Sequence, residues 1–236
     1  VLVIAFDDLD IRNPSEVRQM MHDAQGMLKG DAWFMLTGHP MGITVDLLTS
    51  ERGLFDLQLK LDELDQPTTY KMLINYLSSA RINNDCTDPD DPRCVLPFTP
   101  EAAAEFCRVS LGKPRLFNRL GNTVLSKAAD LEIKVITSEV LQEGLKVAAP
   151  TLRQQAALSV QEERVRALLL KRGELSDETI TIEDLEALGF RSFSDNLPLL
   201  ERLEEADLAH QLNQEDVKAY APIPLPPSDD DIIEDV

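Results

Sequence analysis

Val1-Leu2-Val3-Ile4-Ala5-Phe6-Asp7-Asp8-Leu9-Asp10 opens the chain: a continuous apolar run stops at two adjacent carboxylates, with a third two positions on. A run this short and this apolar predicts a parallel strand buried on both faces. Its carboxyl end, where open α/β sheets bind ligands, then carries Asp7 and Asp8. Paired carboxylates there suit nucleotide hydrolysis, one holding the Mg²⁺ that neutralises phosphate charge and its neighbour orienting the attacking water. The same ten residues also fit a plain strand followed by an acidic helix cap, and both readings stand at this point.

Outward from this strand the hydrophobic spacing alternates. Val17, Met20, Met21, Ala24 and Leu28 predict a helix over 13–28, closed by Gly30. Residues 32–37 (Ala-Trp-Phe-Met-Leu-Thr) read as a second buried strand ending at Thr37, before a Gly38-His39-Pro40 turn. A short helix over 44–50 and a strand over 55–61 complete the rhythm of a parallel sheet with crossover helices, an α/β core over 1–65.

From residue 66 the pattern is helical only. Tyr70, Leu73, Ile74 and Leu77 mark a helix over 68–81, and the acidic stretch 83–97 reads as a solvated insertion. Thr99-Pro100-Glu101 supplies an N-cap with proline at the first helical position, and Gly112 ends that helix. The next begins at Pro114 with Phe117, Leu120, Val124, Leu125 and Ala128 on one stripe; Thr137 caps another that Pro150 is expected to stop. These four helices make a small bundle over 66–150. Residues 151–221 form a third unit, with helices over 160–171, 181–189 and 194–208 and a strand pair within 209–223, the order of a winged-helix module. The proline-rich, acidic residues 222–236 are expected to lie outside any core.

Three features together resemble the C-terminal two-thirds of an AAA+ ATPase, a P-loop NTPase: Val1 to Asp10 as the Walker B strand, Trp33 to His39 as the sensor 1 strand, and Gly112-Lys113-Pro114-Arg115 as the G-x-P-R signature opening the sensor 2 helix of a lid. Leu57 to Leu64 resembles the passage from core to lid, and the appended winged helix is similar to the replication-initiator clade. The resemblance implies ATP and Mg²⁺ as ligands. Asp7 would hold the metal through water, Asp8 would take the place of the hydrolytic glutamate, Thr37 would contact the γ-phosphate or the lytic water, and Arg115 would meet the γ-phosphate from the lid. Aspartate is one methylene shorter than glutamate, so slow hydrolysis or binding alone is implied as well. Arg52 stands where an arginine finger would be offered to a neighbouring subunit, which is compatible with a homo-oligomer. Asp10 reads as a cap, His39 has no assigned role, and Lys113 and Arg119 are the neighbours from which Arg115 must be told apart. No stretch matches G-x-x-x-x-G-K-[ST], so the phosphate cradle would belong to a preceding part and this chain alone should be inactive.

Charge and cysteines bound the alternatives. A net charge of −19 opposes non-specific association with nucleic acid or an anionic membrane, and the acidic excess is spread along the chain. No apolar run approaches the ~18 residues of a membrane span. Three cysteines, Cys86, Cys94 and Cys107, fit a reducing compartment, so the cytoplasm is expected; Cys86-x₇-Cys94 lacks the spacing of a zinc or calcium site. The first functional reading is an ATP-driven conformational switch. The second is a degenerate ATPase fold acting as a scaffold, with protein partners on 151–236. The third, a DNA-binding module, is disfavoured because its recognition helix would carry Asp195, Glu201, Glu204, Glu205 and Asp207 against Arg202 alone.

Overall fold

The computed structural model describes residues 3–6, 19, 22–24, 26, 33–37, 59, 61–82, 91–214 and 217–226, without the side chains of 213–217. The expectations for Asp7, Asp8, Asp10, His39, Arg52, Cys86 and the helix over 44–50 lie outside them. The chain divides into two compact units, Val1–Asp62 and Glu63–Val236.

In the first unit β1 (Val3–Phe6) and β2 (Trp33–Leu36) pair in parallel, with Val3 opposite Trp33 and Phe6 opposite Leu36. The intervening residues are enough for the crossover that a parallel pair requires, and positions 19, 22, 23 and 26 are helical. Phe6 and Phe34 stack on one face at a centroid distance of 6.5 Å. The expectation of strands buried on both faces is not met. Val3, Trp33 and Met35 on the other face are more than half exposed, because no described element covers them. Leu59 and Leu61 are exposed and non-regular, so the strand expected over 55–61 does not reach them.

The second unit opens with α1 (Gln66–Ser79), whose first turn is fixed by the Asp65 carboxylate accepting from the Thr68 N–H at 2.8 Å and by Pro67. The stretch read as a solvated insertion turns inward instead: a 3₁₀ turn at Pro92–Val95 buries Cys94 and Val95 completely. The Arg81 guanidinium holds it there, donating to the carbonyl oxygens of Arg93, Cys94 and Leu96, each at 2.9 Å. Helices α2 (Pro100–Val109), α3 (Pro114–Asp130) and α4 (Ser138–Ala156) follow, α2 and α4 capped by Thr99 and Thr137 as expected. Their core is aromatic at its centre, with Phe106 packed on Phe98 and Phe117 at 5.5 and 4.7 Å between centroids. Leu116 joins the buried stripe, whereas Leu125, expected on it, is 40% exposed. Helix α4 also runs through Pro150, so the boundary expected there falls inside a helix. Its buried stripe Leu141, Leu145, Ala148 and Leu152 continues past the proline, and that burial offsets the lost hydrogen bond and ring clash.

Helix α5 (Val160–Arg172), strand β3 (Leu175–Ser176), α6 (Ile182–Leu188), α7 (Phe193–Glu205), β4 (Ala209–Gln214) and β5 (Val217–Pro222) then give the winged-helix order. The sheet is antiparallel with β5 in the centre, Tyr220 lying opposite both Leu175 and Gln211. Reciprocal capping boxes at Ser159–Glu162 and Thr181–Asp184 start α5 and α6. The core here is Val165, Leu169, Leu200, Leu203 and Tyr220, and it extends into the segment expected to lie outside: Ile223 is buried and Leu225 packs against it. Ala221, Ile223 and Leu225 fall at every second position, an alternation that the proline content obscured. Among the described residues no helix is long and apolar enough to cross a membrane.

Candidate functional site

The N-terminal end of α3 presents three cations, and the structure separates them. Lys113 lies at the N-cap, where its Nζ pairs with Glu204 Oε1 of α7 at 2.8 Å in a largely buried bridge. Arg119, one turn on, pairs with Asp207 Oδ2 at 2.6 Å and also donates to the Ala206 carbonyl and to Gln155 Oε1. Arg115, between them, is exposed and makes no ion pair among the described residues. Two of the three cations therefore tie the four-helix part to the winged-helix part, and the one carried by the G-x-P-R signature is left to meet something else.

The turn feeding this helix is held by backbone. Gly112 takes φ +67°, and its carbonyl accepts from the Leu64 N–H at 2.9 Å; a Cβ at this position would overlap the Leu64 carbonyl. The residues that enter the unit thus clamp the start of α3. Beside Arg115, the residues Arg119, Arg202, Gln155, Glu205 and Ala206 line a cleft of about 260 Å³.

In the other unit, the Thr37 N–H donates to the Phe6 carbonyl at 2.9 Å, continuing the parallel ladder one residue past β2. Thr37 therefore leaves the sheet at the same end as the peptide that leads into Asp7. The remaining thiols have no such placement. Cys94 and Cys107 are free and buried, and burial pushes the Cys107 thiol up to about 12, which leaves it protonated and inert. Among the described residues no group of His, Cys, Asp and Glu side chains could hold a metal ion.

No family model matches the chain, and no curated protein matches its sequence. Solved structures do. RuvB of Thermotoga maritima, titled a Holliday junction branch migration motor, aligns over 89% of this chain and 64% of its own at 16% identity and a TM-score of 0.50. A point variant of the same protein aligns over 89% and 64% at 16% identity and a TM-score of 0.51. The fold is similar to that of these RuvB chains. This chain spans just under two thirds of the RuvB chains it matches, and a likeness to RuvB gives the expected affinity with replication initiators no support of its own.

Sequence reasoning singled out Arg115 from its motif and missed the ion pairs on either side of it. Glu204 and Asp207 are 91 and 88 residues from their partners, and no local pattern could couple them. Gly112 was read as a helix terminator and as the glycine of the G-x-P-R signature, not as the partner of Leu64. His210 was not singled out at all. It is half-buried on β4, and burial lowers its pKa below the ordinary 6.5, reinforced by the Lys113 charge and opposed by the Gln211 backbone, Glu204 and Glu63. A histidine depressed in the folded state is protonated first in the unfolded chain, so the stability it contributes is present above about 6.5 and is lost as the pH falls below that value. Thermal midpoints measured from pH 7.5 to 5 should decline through this window, and His210→Asn should flatten that part of the profile. An unchanged decline in the variant would place the titrating group elsewhere.

Proposed function

We propose that the chain is the C-terminal part of an AAA+ protein that binds ATP with Mg²⁺ and uses nucleotide state as a conformational switch. Bound there, the metal would offset phosphate charge as the terminal phosphate is transferred to water. Asp7 would hold it through water, Asp8 would orient the attacking water, and Thr37 would hydrogen-bond the γ-phosphate or that water. Arg115 would meet the γ-phosphate, making the α3 start responsive to its presence. The observation that carries this reading is the exposed Arg115, which makes no ion pair among the described residues, between two neutralised neighbours. A guanidinium that fits a planar, bidentate anion and has no internal partner is what a phosphate sensor requires. Thr37, at the carboxyl end of the parallel pair, adds a polar group where such sheets bind ligands.

Nucleotide binding and turnover in the full-length protein test it. Arg115→Ala should weaken ATP relative to ADP by roughly 10- to 100-fold, the worth of a charged hydrogen-bonded contact. Asp7→Ala should remove the Mg²⁺ dependence. Equal affinity and turnover in all three proteins would sink the switch and leave the scaffold reading, for which the short Asp8 already speaks. Partners are assigned to 151–236 and are proteins. The RuvB title names a DNA junction, but here α7 carries Asp195, Glu201, Glu204 and Glu205, and its Arg202 lies between Glu162 and Glu205. A homo-oligomer with Arg52 as its finger and a cytoplasmic location complete the proposal.

A further inference from the structure

We infer that the cleft between α3, α4 and α7 is a binding site for a compact multivalent oxyanion of the pyrophosphate class, held by Arg115, Arg202 and the Gln155 amide. Its walls come from two parts of the chain: Arg115 and Arg119 from α3 and Gln155 from α4 on one side, Arg202, Glu205 and Ala206 from the end of α7 on the other. Three guanidiniums thus converge on about 260 Å³ in a chain whose net charge is −19. Arg119 is committed to the protein, donating to Asp207 at 2.6 Å, to the Ala206 carbonyl and to Gln155 Oε1 at 2.8 Å. Arg202 stands 3.5 Å from Glu205 and 3.9 Å from Glu162, beyond the usual length of an N–H···O bond. Arg115 makes no ion pair among the described residues.

The donors left over set the chemistry of the ligand. Gln155 Oε1 accepts from Arg119, so the other amide atom, Nε2, is a donor, and no described acceptor takes it. Two guanidiniums and an amide from three helices therefore offer N–H groups to one space, which suits an anion with several oxygens. Glu205 opposes such an ion. Its exposed contact with Arg202 is worth a factor of only about 2 to 5, less than charged hydrogen bonds made to one ion from two sides. Size limits the ion as well. Small-molecule pockets run from about 300 Å³ upward, so a cleft of about 260 Å³ takes a phosphate group or two without a nucleoside. Bound there, the ion ties the four-helix part to the winged-helix part beside the Lys113–Glu204 and Arg119–Asp207 bridges. Arg202 and Gln155 distinguish the site, which requires no nucleotide.

The test titrates this chain with sodium pyrophosphate in the absence of Mg²⁺, read by calorimetry and by the nitrogen-15 signals of the arginine Nε–Hε groups. Pyrophosphate should bind saturably, shift the Arg115 and Arg202 signals, and bind more weakly in about 0.5 M salt. Gln155→Glu keeps an acceptor for Arg119 but removes the donor and adds a negative charge, so it should weaken binding by roughly 10-fold or more. Arg202→Gln should weaken it about 5- to 10-fold. Arg108→Gln, the same charge change at an exposed arginine of α2, should stay within about 2-fold. An absence of saturable binding overturns the inference, as do affinities in Gln155→Glu and Arg202→Gln no lower than in Arg108→Gln. A loss confined to Arg115→Ala overturns it too, because a single guanidinium would then hold the ion. ATP titrated in the same way should bind no more tightly than tripolyphosphate, and a clear preference for ATP would overturn the assignment of a compact ion. If Arg115→Ala leaves nucleotide binding in the full-length protein unchanged while these titrations give the expected losses, the switch fails and the oxyanion site stands.

Discussion

Replacing Gly112 by alanine is expected to cost the 63–236 unit about 3 kcal/mol, lowering its thermal midpoint by about 10 °C. Two effects add. Gly112 sits at φ +67°, where an L side chain costs ~1–2 kcal/mol, and its Cβ would overlap the Leu64 carbonyl, a backbone atom that cannot rotate away. Relieving the overlap means pulling residue 64 from the turn and losing its 2.9 Å hydrogen bond to the Gly112 carbonyl. Leu111, already at φ +54°, leaves the turn little slack upstream. Gly121→Ala is the control: it lies in α3, its nearest neighbour would be the Phe106 ring edge at 3.3 Å, and it should stay within ~1 kcal/mol because gained helix propensity offsets the tighter packing. If chemical denaturation finds the two variants equally stable, the clamp between residues 64 and 112 is not a structural constraint.

That clamp marks where sequence reading stops. Helix starts were legible because a cap is local: Thr99-Pro100, Thr137, Ser159 with Glu162 and Thr181 with Asp184 each satisfy backbone N–H groups within three residues. The winged-helix order followed from those starts plus a strand pair. Pro150 was misjudged for the opposite reason, a local penalty overruled by burial of Leu152 two residues later. Residues 92–95 carry the composition of a surface loop, yet Arg81, ten or more residues earlier, draws their carbonyls inward and takes Cys94 into the core. At the candidate site the motif singled out Arg115, whereas the roles of Lys113 and Arg119 depended on partners nearly ninety residues downstream. The alternating exposure of Val3, Trp33 and Met35 was hidden because an unbroken apolar run looks the same whether one face or both are covered.

Arg119→Ala should destabilise the chain by about 3 kcal/mol while Arg115→Ala, four residues away on the same helix, should change stability by less than ~0.5 kcal/mol. The difference lies in what each substitution leaves behind. Removing Arg119 strands the Asp207 carboxylate, whose side chain is 8% exposed, and also frees Gln155 and the Ala206 carbonyl. A buried charge without its partner costs far more than the pair itself contributes, so Arg119→Met/Asp207→Asn should recover at least ~1.5 kcal/mol of the loss seen in Arg119→Met alone. Asparagine keeps the φ of +59° at position 207 accessible, which alanine would not. Denaturant midpoints for the four proteins of that cycle supply the measurement, and additive losses would mean that the pair carries no coupling. The contrast with Arg115 also protects the functional assignment, since a nucleotide defect in Arg115→Ala at unchanged stability cannot be ascribed to unfolding. Because the Lys113–Glu204 and Arg119–Asp207 bridges stand on either side of Arg115 along α3, the end of α7 fixes where that guanidinium is presented. A partner that displaces α7 would therefore move Arg115 without touching it, and weakening either bridge should loosen that linkage before it unfolds the helix.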